Sequence, residues 1–137
     1  GLIYQFYNLI PILNVRENIT LPLELDNKKV SDEEVDNLIK MLGLDKRSKH
    51  LPNELSGGQQ QRTSIGRALI TRPAIVLADE PTGNLDTKAS EDIVSLLKKS
   101  NKEMKQTIIM ITHNLELAKV ADRIIEMEDG RIVGEEK

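Results

Sequence analysis

Apolar residues recur along the chain with two different periods. Around residues 31–42 and 58–70 they stand three and four positions apart, which predicts two amphipathic helices. Two runs without alternation, Ala74–Ala78 and Thr107–Ile111, predict parallel strands that are covered on both faces. The shorter apolar run Gly1–Gln5 predicts a further buried strand. Helices alternating with such strands indicate an α/β fold with a mainly parallel sheet.

Capping residues and proline set the remaining boundaries. Asn14 predicts the start of a helix that ends near Pro22, because proline has no N–H to donate inside a helix. Asp86 predicts the cap of a later helix, and a short helix is expected from about Asn114 to Val120. Residues 123–135, with Asp-Gly at their centre, predict a β-hairpin.

Composition narrows the possible functions. The chain has 137 residues, enough for one domain with a core, and its net charge of −3 gives no reason to expect a nucleic-acid partner. It contains no cysteine, which excludes a disulfide framework and a thiolate metal site. No apolar run reaches the ~18 residues of a membrane span, and the first residues do not resemble a signal peptide. We therefore expect an intracellular protein that reaches a membrane only through a partner.

The most distinctive stretch is LSGGQQQR, residues 55–62. Gly57 and Gly58 lack a Cβ, so a ligand can approach the backbone closely there. Ser56 places a hydroxyl just before a predicted helix start, where backbone N–H groups have no helical partner. The stretch therefore predicts a site for an anion such as a phosphate, although a serine cap with a glycine turn is the ordinary alternative.

Polar residues also stand at the ends of all three predicted strands. Gln5 ends the first, Asp79 and Glu80 follow the second, and His113 follows the third. Ligands of open α/β sheets bind outside the carboxyl ends of the strands. Each residue alone has an ordinary structural explanation, but their joint occurrence near a serine–glycine helix start favours a ligand site.

Together these motifs resemble the ATP-binding cassette (ABC) ATPases, over essentially the whole chain. The similar segments are the Q-loop glutamine Gln5, the signature Leu55–Gln59, the Walker B strand Ile75–Asp79, the catalytic glutamate Glu80, the D-loop Asn84–Asp86 and the switch histidine His113. The resemblance implies a P-loop NTPase core with the ABC helical subdomain, and ATP and Mg²⁺ as cofactors.

The resemblance also implies roles for the strand-end residues. Asp79 would hold Mg²⁺ through a water, and the amide oxygen of Gln5 would complete the shell of the ion. Glu80 would orient or deprotonate the attacking water, and His113 would bind the γ-phosphate. Phosphoryl transfer needs mainly positioning and charge stabilisation, so such a scattered set of residues suffices.

The remaining candidate residues act between subunits in this family. The resemblance implies that two cassettes pack head to tail, and that each supplies its signature to the ATP of the other. Asp86 would communicate across that interface, and the nucleotide contacts would come from Leu55, Ser56, Gly57, Gly58, Gln59 and Asp86. The implied partners are a second copy and transmembrane permease subunits, which would hold the protein at the cytoplasmic face of the membrane.

One family motif is absent. Phosphate-binding loops have the pattern G-x-x-x-x-G-K-[ST], and this chain contains no Gly-Lys dipeptide. We therefore expect the carboxyl-terminal part of a nucleotide-binding domain that binds ATP weakly or not at all alone. Residues 1–11 would hold the end of a core strand and the Q-loop, 12–70 the helical subdomain with the signature, and 71–137 the rest of the core.

The subfamily and two alternatives stay open. Residues 78–87, ADEPTGNLDT, resemble macrolide exporters, lipoprotein-release systems and bacitracin-type peptide-resistance transporters, whereas Thr63, Ser64 and Gly66 depart from the usual family residues. All aromatic residues of the chain, Tyr4, Phe6 and Tyr7, stand in or directly before the loop from Gln5 to Val15. This loop would contact the permease if those rings form a surface groove and not core packing. The alternatives are a soluble ABC ATPase of another process and a non-catalytic interaction module.

Overall fold

The computed structural model describes all 137 residues, as an α/β fold built on a parallel sheet. Its strands are β1 (Leu2–Ile3), β2 (Ile75–Asp79) and β3 (Thr107–Ile111), in the order β1-β2-β3 and all parallel. A separate antiparallel hairpin joins β4 (Ile124–Glu128) to β5 (Arg131–Glu136). The sheet and the hairpin follow the sequence prediction, although β1 is shorter than the apolar run that contains it.

Five α-helices connect and follow these strands. They are α1 (Val15–Leu25), α2 (Asp32–Met41), α3 (Gly57–Leu69), α4 (Thr87–Met104) and α5 (Leu115–Ala118). The predicted cap residues are confirmed, because the side chains of Asn14, Ser56 and Asp86 accept hydrogen bonds from the first turns of α1, α3 and α4. The prediction of separate units at residues 1–11, 12–70 and 71–137 stays a prediction. None of the helices is long and apolar enough to cross a membrane.

The predicted end of α1 near Pro22 is wrong, because the helix continues to Leu25. Proline removes one helical hydrogen bond, but the carbonyl of Pro22 still accepts from the N–H of Asp26 at 3.2 Å. Ile19 and Leu23 on either side of the proline are buried in the core. Burial of these two side chains holds the last turn in helical form in spite of the missing donor.

The helices cover only one face of the sheet. Ile3, Val76 and Ala78 are at most 1% exposed and pack in one hydrophobic core with side chains of α1 to α4. Successive residues of a strand point to opposite faces, so the next side chains lie on the other side of the sheet. That face is exposed at Ile75, Leu77, Ile109 and Ile111. The prediction that β2 and β3 are covered on both faces is therefore wrong for this chain.

Candidate functional site

The register of the sheet brings the predicted polar strand ends to one edge. Ile3 pairs with Ala78, and Asp79 pairs with Ile111, so the three strands end side by side. Because the strands are parallel, Gln5, Glu80 and His113 follow them at the same carboxyl edge. We call Gln5, Asp79, Glu80 and His113, with Asn84 described below, the strand-end cluster.

Glu80 and His113 are in direct contact within this cluster. Oε1 of Glu80 lies 2.7 Å from Nδ1 of His113 and also accepts the backbone N–H of His113 at 3.0 Å. The backbone of Glu80 has a φ of 44°, a left-handed conformation that is uncommon for a residue with a Cβ. The other carboxylate oxygen of Glu80 has no hydrogen-bond partner, so the end of β3 fixes the carboxylate and leaves one oxygen free to accept a proton.

Gln5 is held by the turn that follows β2. Its Nε2 donates to Oδ1 of Asn84 at 3.3 Å, and Nδ2 of Asn84 donates back to the carbonyl of Gln5 at 3.2 Å. The Gln5 side chain lies directly over Gly83, where a Cβ would come within 2.6 Å of Nε2. Gly83 therefore leaves the space that the Gln5 side chain occupies on the turn.

The chain offers a small set of oxygen atoms to a divalent cation. The exposed carboxylate of Asp79 and Oε1 of Gln5 have no hydrogen-bond or ion-pair partner. No group of three or more His, Cys, Asp or Glu side chains forms a metal cage. These donors fit Mg²⁺, which takes one or two protein oxygens and completes its octahedron with waters and substrate phosphates.

The LSGGQ stretch forms a second, separate depression. We call Ser56, Gly57 and Gly58 the lip. The depression has a volume of about 330 Å³, and its lining is Ser56, Gly57, Gly58, Gln59, Arg62, Asn84, Leu85, Asp86 and Ala89. Gln5, Asp79, Glu80 and His113 do not line it, so the predicted site residues fall into two groups, and only Asn84 belongs to both.

The lip is shaped by a capping box at the start of α3. Oγ of Ser56 accepts the N–H of Gln59 at 3.2 Å, and Oε1 of Gln59 accepts the N–H of Ser56 at 3.0 Å. The Ser56 hydroxyl still has its own proton to donate, and the N–H groups of Gly57 and Gly58 are not used by the helix. The lip can therefore donate hydrogen bonds to an anion without losing its cap.

Two predicted contact residues are engaged elsewhere. The Leu55 side chain is 8% exposed and belongs to the hydrophobic core, so a ligand at the lip can meet only its backbone. One oxygen of Asp86 accepts the N–H of Ala89 at 2.8 Å as the cap of α4. Its other oxygen has no hydrogen-bond partner, and Asp86 is one of the residues that line the depression.

Comparisons with known proteins decide the family. A model of the ABC transporter family matches residues 1–83, more than half of the chain. The chain belongs to the ABC transporter family. The resemblance inferred from its motifs is thereby confirmed.

Curated ABC relatives match almost the entire chain. An uncharacterised ABC transporter ATP-binding protein of Methanocaldococcus jannaschii, MJ0796, is 46% identical over 100% of this chain and 61% of its own length. The lipoprotein-releasing system ATP-binding protein LolD of Cytophaga hutchinsonii is 44% identical over 97% of this chain and 62% of its own length. The chain thus spans about three fifths of the length of these relatives.

Solved ABC cassettes have the same fold. A dimeric structure of MJ0796 in a post-hydrolysis state, bound to ADP and Pi, matches with a TM-score of 0.83 at 43% identity. A second dimeric MJ0796 structure matches with the same TM-score at 45% identity, and each match covers 100% of this chain and 62% of the solved chain. The predicted partial ABC ATPase core is therefore confirmed as the fold.

The structure of this ABC chain also adds residues that sequence reasoning missed. Gln61 of α3 is fully buried, and its Nε2 donates to the carbonyls of Tyr4 at 3.0 Å and Pro81 at 2.6 Å. The guanidinium of Arg67 donates to the carbonyls of Tyr7 at 2.9 Å and Asn8 at 2.7 Å. Helix α3 therefore holds two of the three segments that carry the strand-end cluster, the loop after β1 and the turn after β2.

Burial changes the acid–base properties of two of these side chains. Burial lowers the pKa of the Arg67 guanidinium, and burial raises the pKa of the Tyr7 hydroxyl. The Tyr7 hydroxyl lies beside the lip, since a Cβ on Gly57 would be 3.0 Å from its oxygen. A sequence signal for Gln61 did exist, because it stands four residues before Ile65 on the buried face of the helix.

Proposed function

We propose that this chain is the catalytic and signature-bearing part of an ABC transporter subunit that binds and hydrolyses ATP. The observation that carries the proposal is the contact between Glu80 and His113 at the carboxyl edge of the sheet, in a chain of the ABC family. Gln5 and Asp79 stand at the same edge with free oxygen atoms, as a metal–nucleotide complex requires.

The residues divide the work of phosphoryl transfer. Glu80 has one oxygen fixed by His113 and one free, so it accepts a proton from water or aligns that water for attack. His113 is 85% exposed in its side chain. Its Nδ1 carries the proton that faces the Glu80 carboxylate, so Nε2 donates to a phosphate oxygen in the imidazolium form, in which both ring nitrogens are protonated. Asp79 and Gln5 would hold Mg²⁺, which would neutralise part of the phosphate charge.

The lip acts on the ATP of a second copy. Its free N–H groups and the serine hydroxyl suit the γ-phosphate, and a helix N-terminus favours negative charge. Two dimeric structures of the archaeal relative support a homodimer, one of them bound to ADP and Pi. Asp86, which lines the same depression, lies at the subunit contact in this arrangement.

The dimer serves an exporter or a peptide-resistance transporter. The likeness to a lipoprotein-releasing ATP-binding protein supports this branch of the family. The loop between Gln5 and Val15 exposes Phe6 and Ile12, at 69% and 82%, as an apolar surface for a permease. Binding to the permease places the subunit at the cytoplasmic face of the membrane, with no nucleic-acid partner.

The chain needs a phosphate-binding loop from another segment or another chain, because it contains no Gly-Lys dipeptide. We expect isothermal titration of the 137-residue chain with Mg-ATP to give no binding in the micromolar range. Micromolar affinity would contradict this part of the proposal.

The deciding experiment uses a complete subunit, in which an amino-terminal segment with G-x-x-x-x-G-K-[ST] precedes this chain. Replacement of a general base typically costs about 10²–10⁴-fold in rate, and we expect such a loss of turnover for Glu80→Gln. The matched control is Glu91→Gln, the same chemical change at an exposed residue of α4 outside the site. Normal turnover of Glu80→Gln would exclude Glu80 as the base.

The same experiment tests a non-catalytic role. The intact lip and the absent Gly-Lys pair would also suit a module that completes the nucleotide site of another cassette. In that case the complete subunit would not hydrolyse ATP, whereas added chain would raise the ATPase rate of the other cassette, and Ser56→Ala would abolish the increase.

A further inference from the structure

We propose that Asn84 is a positioning residue that sets the orientation of the Gln5 side-chain amide, so that Oε1 of Gln5 is presented to the metal–nucleotide complex. This inference rests on the proposed function, because the orientation of Gln5 matters for catalysis only if a metal ion and ATP bind at the strand-end cluster.

The backbone carbonyl of Gln5 can only accept a hydrogen bond. The group that faces it at 3.2 Å must therefore be the donor Nδ2 of Asn84. This contact fixes which way the Asn84 amide is turned, so that its Oδ1 lies toward the Gln5 side chain. Oδ1 can only accept, and the Gln5 atom that meets it at 3.3 Å must be the donor Nε2.

The consequence is an amide with a defined direction. With Nε2 bound to Asn84, Oε1 of Gln5 lies on the opposite side of the amide group and has no hydrogen-bond partner. A metal ion such as Mg²⁺ accepts the oxygen of an amide as a ligand and never its nitrogen. Without Asn84 the Gln5 amide could rotate and present Nε2 to the metal ion in place of Oε1. The hydrogen bond to Asn84 prevents this rotation.

Two neighbouring residues, Gly83 and Gln61, keep the side chains of Gln5 and Asn84 in contact. Gly83 lets the Gln5 side chain lie flat on the turn, since a Cβ there would come within 2.8 Å of Cδ. The buried amide of Gln61 binds the carbonyl of Tyr4, just before Gln5, and that of Pro81, shortly before Asn84. The backbone spacing between the two amides is therefore set from inside the protein.

The first test needs no nucleotide. In the ¹⁵N-labelled 137-residue chain, the Gln5 side-chain amide is assigned by its loss in Gln5→Ala. We expect one of its two protons to show hydrogen-bond protection, and Asn84→Ala to abolish that protection. Asn53→Ala, a change at an exposed asparagine without a side-chain hydrogen bond, should leave it unchanged. An identical Gln5 signal in Asn84→Ala would overturn the inference.

The second test uses the complete subunit. We expect Asn84→Ala to raise the Mg²⁺ concentration for half-maximal hydrolysis by about three- to tenfold, as the loss of one or two hydrogen bonds predicts, and by a larger factor than it lowers kcat at saturating Mg²⁺. Gln5→Ala should give the same shift, and the double variant no further shift, because Asn84 acts through Gln5. Additive shifts would overturn the inference.

The two proposals fail in distinguishable ways. If the complete subunit with its native residues hydrolyses no ATP at any Mg²⁺ concentration, the proposed function is wrong. The orientation of Gln5 is then still decided by the amide signals of the ligand-free chain, where loss of protection in Asn84→Ala supports the inference and an unchanged signal overturns it.

Discussion

The lip and the strand-end cluster are built in different ways. The lip is held by hydrogen bonds between Ser56 and Gln59, which are three residues apart. The cluster is held by bonds over 33 residues, from Glu80 to His113, and over 79 residues, from Gln5 to Asn84. The lip is thus a property of one helix start, whereas the cluster exists only when three strands are in register.

One helix nevertheless serves both regions. Helix α3 begins at the lip, and its buried Gln61 binds the segments that carry Gln5 and the turn after β2. If the lip moves together with α3 as a rigid body, the segments that Gln61 binds in the strand-end cluster move with it. The comparison teaches that the local half of the site is also the support of the long-range half.

The largest effect is expected from Gln61→Met. This change leaves the buried carbonyl of Pro81 and the part-buried carbonyl of Tyr4 without a donor. An unsatisfied buried group costs about 1–3 kcal/mol and a part-buried one less, so we expect a loss of about 2–4 kcal/mol in the free energy of unfolding. Urea denaturation of the chain measures it. Gln60→Met is the matched control, because Gln60 makes a single bond of 3.3 Å to Leu55. Equal losses in the two variants would show that Gln61 does not support the cluster.

Ser56 separates capping from phosphate binding. Loss of a serine cap costs about 1 kcal/mol, which we expect in urea denaturation of Ser56→Ala. Aspartate caps a helix as well as serine does, so the free energy of unfolding of Ser56→Asp should lie within about 0.5 kcal/mol of that of the native chain. Its carboxylate would repel a γ-phosphate, and the complete subunit should show a higher KM for ATP. An unchanged KM in Ser56→Asp would mean that the lip is only a cap.

Features that depend on residues close in sequence, such as the lip, could be predicted from the sequence. Caps depend on a side chain and the next turn of the backbone, and those at Asn14, Ser56 and Asp86 were all predictable. The edge that carries Gln5, Glu80 and His113 was predictable too, because parallel strands end together. Apolar periodicity alone was sufficient for the α/β class.

Contacts decided by tertiary packing were not predictable. Local rules ended α1 at Pro22, but burial of Leu23 carries the helix further. An apolar run predicted β2 as covered on both faces, yet periodicity cannot report which faces other segments reach. The bond from Gln5 to Asn84 spans 79 residues and depends on the bare Cα of Gly83, which no local pattern reveals.

Gly83→Ala tests the fit between the two segments. The new Cβ would meet the flexible end of Gln5, so Gln5 moves and the backbone does not. Because alanine also restricts the unfolded chain, by about 0.4–1 kcal/mol, we expect little net change in unfolding free energy. The Gln5 amide signal should shift, whereas Gly58→Ala, whose Cβ would lie 3.6 Å from that of Ala89, should leave it in place. An unmoved Gln5 signal in Gly83→Ala would contradict the packing described here.

Tyr7 gives the smallest effect and tests whether the lip is purely local. Its hydroxyl lies beside Gly57, and burial raises its pKa, so the folded chain favours the neutral phenol. The stabilisation is therefore complete below the ordinary tyrosine pKa of about 10 and is lost as pH rises through the raised value of the folded state. Urea denaturation at about pH 8 and about pH 11 should show this loss in the native chain and in Tyr4→Phe. The loss of unfolding free energy between these two pH values should be smaller in Tyr7→Phe. An equal loss in Tyr7→Phe would mean that the Tyr7 hydroxyl, on the loop after β1, is not buried against the lip.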